Sequence, residues 1–334
     1  MADASTGKLV TLLPRASVKC VPPGHPAARV RRVVSIGGGK GGIGKSFLAA
    51  NLALEFTRRG ERVVLVDADL GSANLHTCLG IDPPRRSLSD FIERRVHRIE
   101  DIVTPTGVPN LGLVSGAMDG LDAANPNHSQ KMRLLHHIEA MDVDHVIVDV
   151  GAGTHLNVLD FLLVCDHGIL VLVPEPTAVE NVYRFVKAAF WRRVRNVVSV
   201  CGFEDLLREV MAEDRFKSPV EIVGALAALD PEAGQVLARQ LGLFRPRLVV
   251  NQARTPQDAE IGVSVVAAWR KFFGLEMDYL GHIQHDEEMW RKARARRPSL
   301  LQGPDPGTPA ARSFARIADR LAELDAAHAS EEAP

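Results

Sequence analysis

"SIGGGKGGIGKS" (residues 35–46) joins an apolar run, "RRVVSIGG" (31–38), to an amphipathic one, "SFLAANLALEFTRRG" (46–60). Within it Gly39, Lys40, Gly41, Gly42, Ile43, Gly44, Lys45 and Ser46 satisfy G-x-x-x-x-G-K-[ST]. Glycines at these places let successive backbone N–H groups turn inward around phosphate oxygens with no Cβ in the way. The helix that follows presents its N-terminus to the same anion. In such a loop Lys45 reaches the β- and γ-phosphates and the Ser46 hydroxyl ligates Mg²⁺.

The same residues contain "GKGGIG", which fits the dinucleotide fingerprint G-x-G-x-x-G, with Asp67 as its ribose-binding acid. A dinucleotide held by backbone and water has no use for Lys-Ser directly after the last glycine, whereas a triphosphate with a metal uses both. A second acidic strand end, "VIVDVGAG" (146–153), adds weight. Asp149 stands where a metal or metal-water ligand belongs, and Gly151 to Gly153 give a turn able to sense a γ-phosphate. The sequence therefore predicts a nucleoside triphosphatase that works with Mg²⁺.

Working outward, apolar runs at 62–69, 111–116, 145–151, 167–175, 246–252 and 279–283 read as strands. They alternate little, as strands covered on both faces do, and helical patterns separate most of them. A helix through "SLSDFIERR" (87–95) opens on a serine cap. The predicted fold class is α/β, a mostly parallel sheet flanked by helices. "FEDLLREVMAE", "SPVEIVGALAALD" and "EAGQVLARQLG" interrupt the rhythm and predict a helical insertion over 196–245. Residues 1–30 read as a loosely ordered leader, 31–303 as the ATPase domain, and 304–334 as a final helix with an acidic tail.

Composition excludes some classes. Net charge is −1 over 334 residues, so no global field draws the chain to nucleic acid. Its 4 cysteines (Cys20, Cys78, Cys165, Cys201) form no C-x-x-C pair, which suits a reducing compartment. With no signal-like or membrane-spanning run, a cytoplasmic location is expected.

"GGGKGGIGKS" is similar to the deviant phosphate loop, K-G-G-x-G-K-[ST], of the MinD/ParA superfamily (SIMIBI ATPases). "VVLVDADLGSANLHTCLG" (63–80) resembles that superfamily's switch I, and the segment from Val146 to Ala189 its switch II with the following strand and helix. "DADLGSANL" and "PEPTAVENVYRFVK" look most like the flagellar-number regulators (FlhG, also called FleN). "YLGHIQHDEEMWRKARARRP" (279–298) resembles their late strand and helix, with Gln284 and His285 where they tend to carry a proline and an aromatic.

The resemblance implies a P-loop NTPase three-layer sandwich whose nucleotide site runs from Gly39 through Phe47. It implies an ATP-dependent homodimer in which Lys40 reaches across to the partner's phosphates. Slow hydrolysis would have Lys40, Lys45 and Asp69 as catalytic residues, with Asp69 orienting water. Ser46, Asp67 and Asp149 would serve the metal, and a partner or activator protein would set the turnover. Capping after the second strand stays open as a role for Asp67 and Asp69. Asn251 either reads adenine or satisfies loop backbone.

The basic run 290–297 and "FWRRVRN" (190–196) keep open a DNA-partitioning reading, against that of a solvated helix face. A nucleotide-dependent adaptor with little hydrolysis is a further alternative. The final helix has Phe314, Ile317, Leu321 and Leu324 at helical spacing. Its acidic polar face disfavours a membrane anchor and predicts packing onto the domain.

Overall fold

The computed structural model describes residues 32–70, 73–116, 126–154, 156–165, 167–212, 218–294 and 307–331. The expected leader at 1–30 lies outside these residues, as does the end of the acidic tail. Eight strands form one sheet: β1 (Arg32–Gly37), β2 (Val63–Asp67), β3 (Thr104–Pro105), β4 (Leu111–Val114), β5 (His145–Asp149), β6 (His167–Leu172), β7 (Arg247–Ala253) and β8 (Asp278–Gln284). Their order is β3-β4-β2-β5-β1-β6-β7-β8. All neighbours are parallel except β3, which pairs antiparallel with β4 at the edge.

The central strands are buried along nearly their whole length, in keeping with their unbroken apolar runs. Strand β3 was not expected. Two residues carry no periodicity, and its Pro105 is tolerated because an edge strand needs no donor on its outer side.

The helices are α1 (Lys45–Arg58), α2 (Leu75–Leu79), α3 (Leu88–Ile92), α4 (His128–Ala140), α5 (Leu156–Val164), α6 (Pro176–Cys201), α7 (Glu204–Met211), α8 (Pro219–Leu229), α9 (Pro231–Gly242), α10 (Pro256–Phe273), α11 (Glu287–Arg294) and α12 (Pro309–Glu331). Helix α1 turns Leu48, Leu52 and Phe56 inward, none more than 2% exposed. Burying each contributes about 1.5–3 kcal/mol, which fixes the helix that carries the loop. Helix α3 opens on a capping box between Ser87 and Asp90, as the serine predicted.

Helix α6 runs to Cys201, past the expected start of the insertion at residue 196, because Val194, Val197 and Val198 continue its buried stripe. Helices α7, α8 and α9 follow it before β7. Helix α12 packs on α1 and β8. Its Phe314, Ile317 and Leu321 are each 1% exposed, and the Phe314 ring lies 6.0 Å from that of Phe47. Ion pairs from Arg32 to Asp325 (2.6 Å) and from Arg59 to Asp319 (2.9 Å) fasten it. The apolar face that raised the question of a lipid anchor is therefore turned into the domain.

Candidate functional site

The ends of β1, β2 and β5 converge on the glycine-rich loop. Parallel pairing sets Asp149 beside Ile36 on one side and beside Asp67 on the other. Gly44 ends the loop as the N-cap of α1, with φ 96° and no side-chain cap on the helix. A β-carbon there would also fall 2.2 Å from Asn251 Nδ2. Glycine is thus required twice over, and the first N–H groups of α1 stay available to an anion. At the other end of the loop a β-carbon on Gly39 would meet the Asn181 carbonyl oxygen at 2.3 Å, so the loop rests directly on α6.

Ile43 is buried and plugs the loop from below, while Gly41 and Gly42 are exposed at its tip. Lys45 is buried, and its Nζ donates to the Lys40 carbonyl at 3.3 Å. Burial lowers its pKa, while the carboxylates of Asp149 and Asp69 oppose that shift. Lys40 points elsewhere. Its side chain is 45% exposed, and its ammonium lies 3.5 Å from Glu175 Oε2, at the N-cap of α6. Phe47 is half-buried and faces α12.

The three acidic residues differ in what they touch. Asp67 is 1% exposed and saturated by backbone: Asp69 N donates to Oδ1 at 3.2 Å, and Asn74 N and Leu75 N donate to Oδ2 at 2.8 and 2.9 Å. Burial raises its pKa to about 6 against the pull of those donors. Asp69 is half-buried, and a β-carbon on Gly151 would approach its carboxyl at 3.2 Å, so the segment after β2 lies against the segment after β5.

Asp149 is 2% exposed, and burial pushes its pKa to about 7 against a hydrogen bond from the Ser46 hydroxyl. Its Oδ1 is buried with no partner. A buried, unpartnered carboxylate oxygen beside a serine hydroxyl and close to a lysine is a donor set that suits a small divalent cation. Ser46 and Asp149 fit Mg²⁺ on that ground, whereas Asp67 already has both oxygens engaged.

Asn251 is buried at the end of β7, where Nδ2 donates to the Ile43 carbonyl at 2.8 Å and Oδ1 accepts from Gln252 N at 2.9 Å. Gln252 itself is held at φ 61°. The side chain ties the loop to the far half of the sheet.

Glu175 and Asn181, which contact the loop, were not singled out from the sequence. Neither was Asp160, which receives Arg192 at 2.9 Å and also pairs with Lys131. That carboxylate lies buried between α4, α5 and α6, and its hydrogen bonds to the two cations hold its pKa down against burial. Of the basic run 290–297, Arg291 has a described, exposed side chain and the remainder lies outside the described side chains.

Comparison with known proteins follows the same lines. The model of the ParA family, described as a NUBPL iron-transfer P-loop NTPase, matches residues 29–201. Antiactivator FleN of Pseudomonas aeruginosa is 26% identical over 300 residues, covering 89% of this chain and 87% of that protein. Flagellum site-determining protein YlxH of Helicobacter pylori is 28% identical over 167 residues, 47% of this chain and 53% of that protein. Among solved structures, the cell division ATPase MinD of Pyrococcus furiosus has a TM-score of 0.59 at 21% identity, over 88% of this chain and 100% of that one. The septum site-determining protein MinD of Pyrococcus horikoshii, complexed with Mg-ADP, gives 0.59 at 20% identity, over 89% and 98%. These structural likenesses concern the fold. With its family model spanning more than half of its length, the chain belongs to the ParA family of P-loop NTPases, within the MinD/ParA superfamily.

Proposed function

We propose that the protein binds Mg·ATP in the loop from Gly39 to Phe47, dimerises on it, and hydrolyses it slowly as an assembly or positional switch. The observation that carries this reading is the unpartnered Asp149 Oδ1, set beside Ser46 at the foot of an uncapped α1. Ser46 and Asp149 would hold the magnesium, which when bound offsets the negative charge of the β- and γ-phosphates.

Lys45, clamped by the Lys40 carbonyl, sits in the pocket and neutralises phosphate charge from within. Lys40 is exposed and lies on the outer side of the loop, which suits a cation that serves a second copy of the chain. Asp69, half-buried beside Gly151, has the freedom to orient a water that Asp67 lacks.

The likeness to FleN along most of the chain supports a role in the control of flagellar or other polar structures. Iron transfer, which the family's description names, is outside this reading. Cys78, Cys165 and Cys201 sit on α2, after α5 and at the end of α6, in no C-x-x-C pair.

Light scattering on the purified chain with and without Mg·ATP tests the proposal. The expected result is a dimer with ATP, a monomer with ADP, and a monomer in both for Lys40→Ala. A chain that stays monomeric with ATP, or a Lys40→Ala variant that dimerises like wild type, contradicts it.

A further inference from the structure

Along the C-terminal half of α6, beyond the end that touches the loop, α7, α8 and the end of α10 line a groove of about 840 Å³. Its floor is apolar: Val198, Leu207, Ile222 and Phe272. Met211 lines the lip at 47% exposure, and Tyr183, 38% exposed, stacks edge-on against Phe272 at 5.3 Å. Large side chains left this open beside a concave apolar floor mark a contact surface.

One wall of the groove is a single stripe of α6. Lys187, Trp191, Arg195 and Ser199 recur every fourth residue and all line it, so the stripe extends roughly 18 Å along the helix. That length matches about three turns of a second helix lying alongside, the geometry in which apolar residues at i, i+4 and i+7 dock into a groove.

Charge selects the occupant. Arg184 pairs with Glu180 at 2.6 Å, Arg192 with Asp160 at 2.9 Å, and Arg193 donates to the Gln240 carbonyl at 2.8 Å. Lys187 and Arg195 are exposed and have no ionic partner among the described residues. These two cations flank Trp191 on the groove wall. Across from them Arg208 is engaged with Asp205, and Glu204 lines the opposite lip. The positive charge is therefore confined to one wall above an apolar floor. A duplex phosphate backbone would favour cations along a polar surface instead.

We propose that this groove docks an amphipathic helix of a partner protein, its apolar stripe on the floor and its Asp or Glu flank against Lys187 and Arg195. The inference stands on α6, α7 and α8 and is independent of nucleotide binding.

The test uses the full chain and fluorescence anisotropy with labelled synthetic helices of about four turns. One carries a leucine stripe flanked by Glu, a second the same stripe flanked by Lys, and a short DNA duplex serves as competitor. The Glu-flanked helix should bind saturably and weaken about tenfold in the Lys187→Glu, Arg195→Glu double variant. Both positions are exposed, so the melting temperature of that variant should match wild type. The Lys-flanked helix should prefer the double variant. No saturable binding of the Glu-flanked helix, equal binding to both proteins, or tighter binding of the duplex at the same residues would overturn the proposal.

Discussion

Asp67 and Asp149 stand directly opposite each other on neighbouring parallel strands, and their carboxylates are used in opposite ways. Asp67 accepts three backbone N–H groups, from Asp69, Asn74 and Leu75, while Asp149 keeps Oδ1 buried and unpartnered. One carboxylate is engaged by the chain's own amides and the other keeps an oxygen with no hydrogen-bond partner.

Because Asp149 is buried, it holds its proton to about pH 7, whereas in the unfolded chain it would lose it near 3.8. The folded state thus binds more protons between those values. The stability this group contributes is present at low pH and is lost as pH rises through that window. Asp149→Asn should therefore melt several degrees above wild type at pH 8 without nucleotide, with the gap narrowing as pH falls and closing only near the ordinary carboxylate value of 3.8. Differential scanning calorimetry across that range checks the sign. The same protonation should weaken Mg·ATP binding by up to about tenfold per unit below pH 7.

Replacing Asp67 tests its structural use. Asp67→Ala leaves the Asn74 and Leu75 N–H groups without their acceptor and should cost about 2–4 kcal/mol. Asp67→Asn keeps one oxygen able to accept from both and should cost about 1 kcal/mol. Urea unfolding of the two variants side by side gives the comparison.

Asn251→Ala should weaken ATP and GTP to the same degree, because the side chain acts through the Ile43 carbonyl and the Gln252 amide. A stability loss of about 1–2 kcal/mol should accompany it. A selective loss of ATP over GTP in competition titrations would instead assign Asn251 to the base.

Asp160→Ala removes the carboxylate that Lys131 and Arg192 share in a largely buried site and should destabilise by about 3–5 kcal/mol. Adding Lys131→Met should recover part of that loss, since a buried cation that has lost its carboxylate costs more than an apolar replacement. Thermal melts of the single and double variants decide it.

How far the sequence can be read depends on how local the cause is. From β1 through the loop to α1, every residue's reason lies within a few positions: an apolar run, glycines, a lysine-serine pair, a helical period. That segment and the parallel sheet are legible. Strand β3 is too short to carry a pattern. Asp67 was readable as a strand end, but its use as an acceptor for Asn74 and Leu75 depends on how the next segment turns back. Glu175 meets Lys40, and Asn181 meets Gly39, across more than 130 residues of chain. Asp160 draws its partners from two other helices. No spacing rule reaches such pairs, because the sheet brings them together.

Titration calorimetry of the full chain with Mg·ATP shows whether the loop that ends in Lys45 and Ser46 holds a triphosphate. One saturable site per chain is expected, abolished in Lys45→Ala and strongly weakened when magnesium is withheld. Absence of heat in the wild type, or an unchanged isotherm in Lys45→Ala, would contradict it.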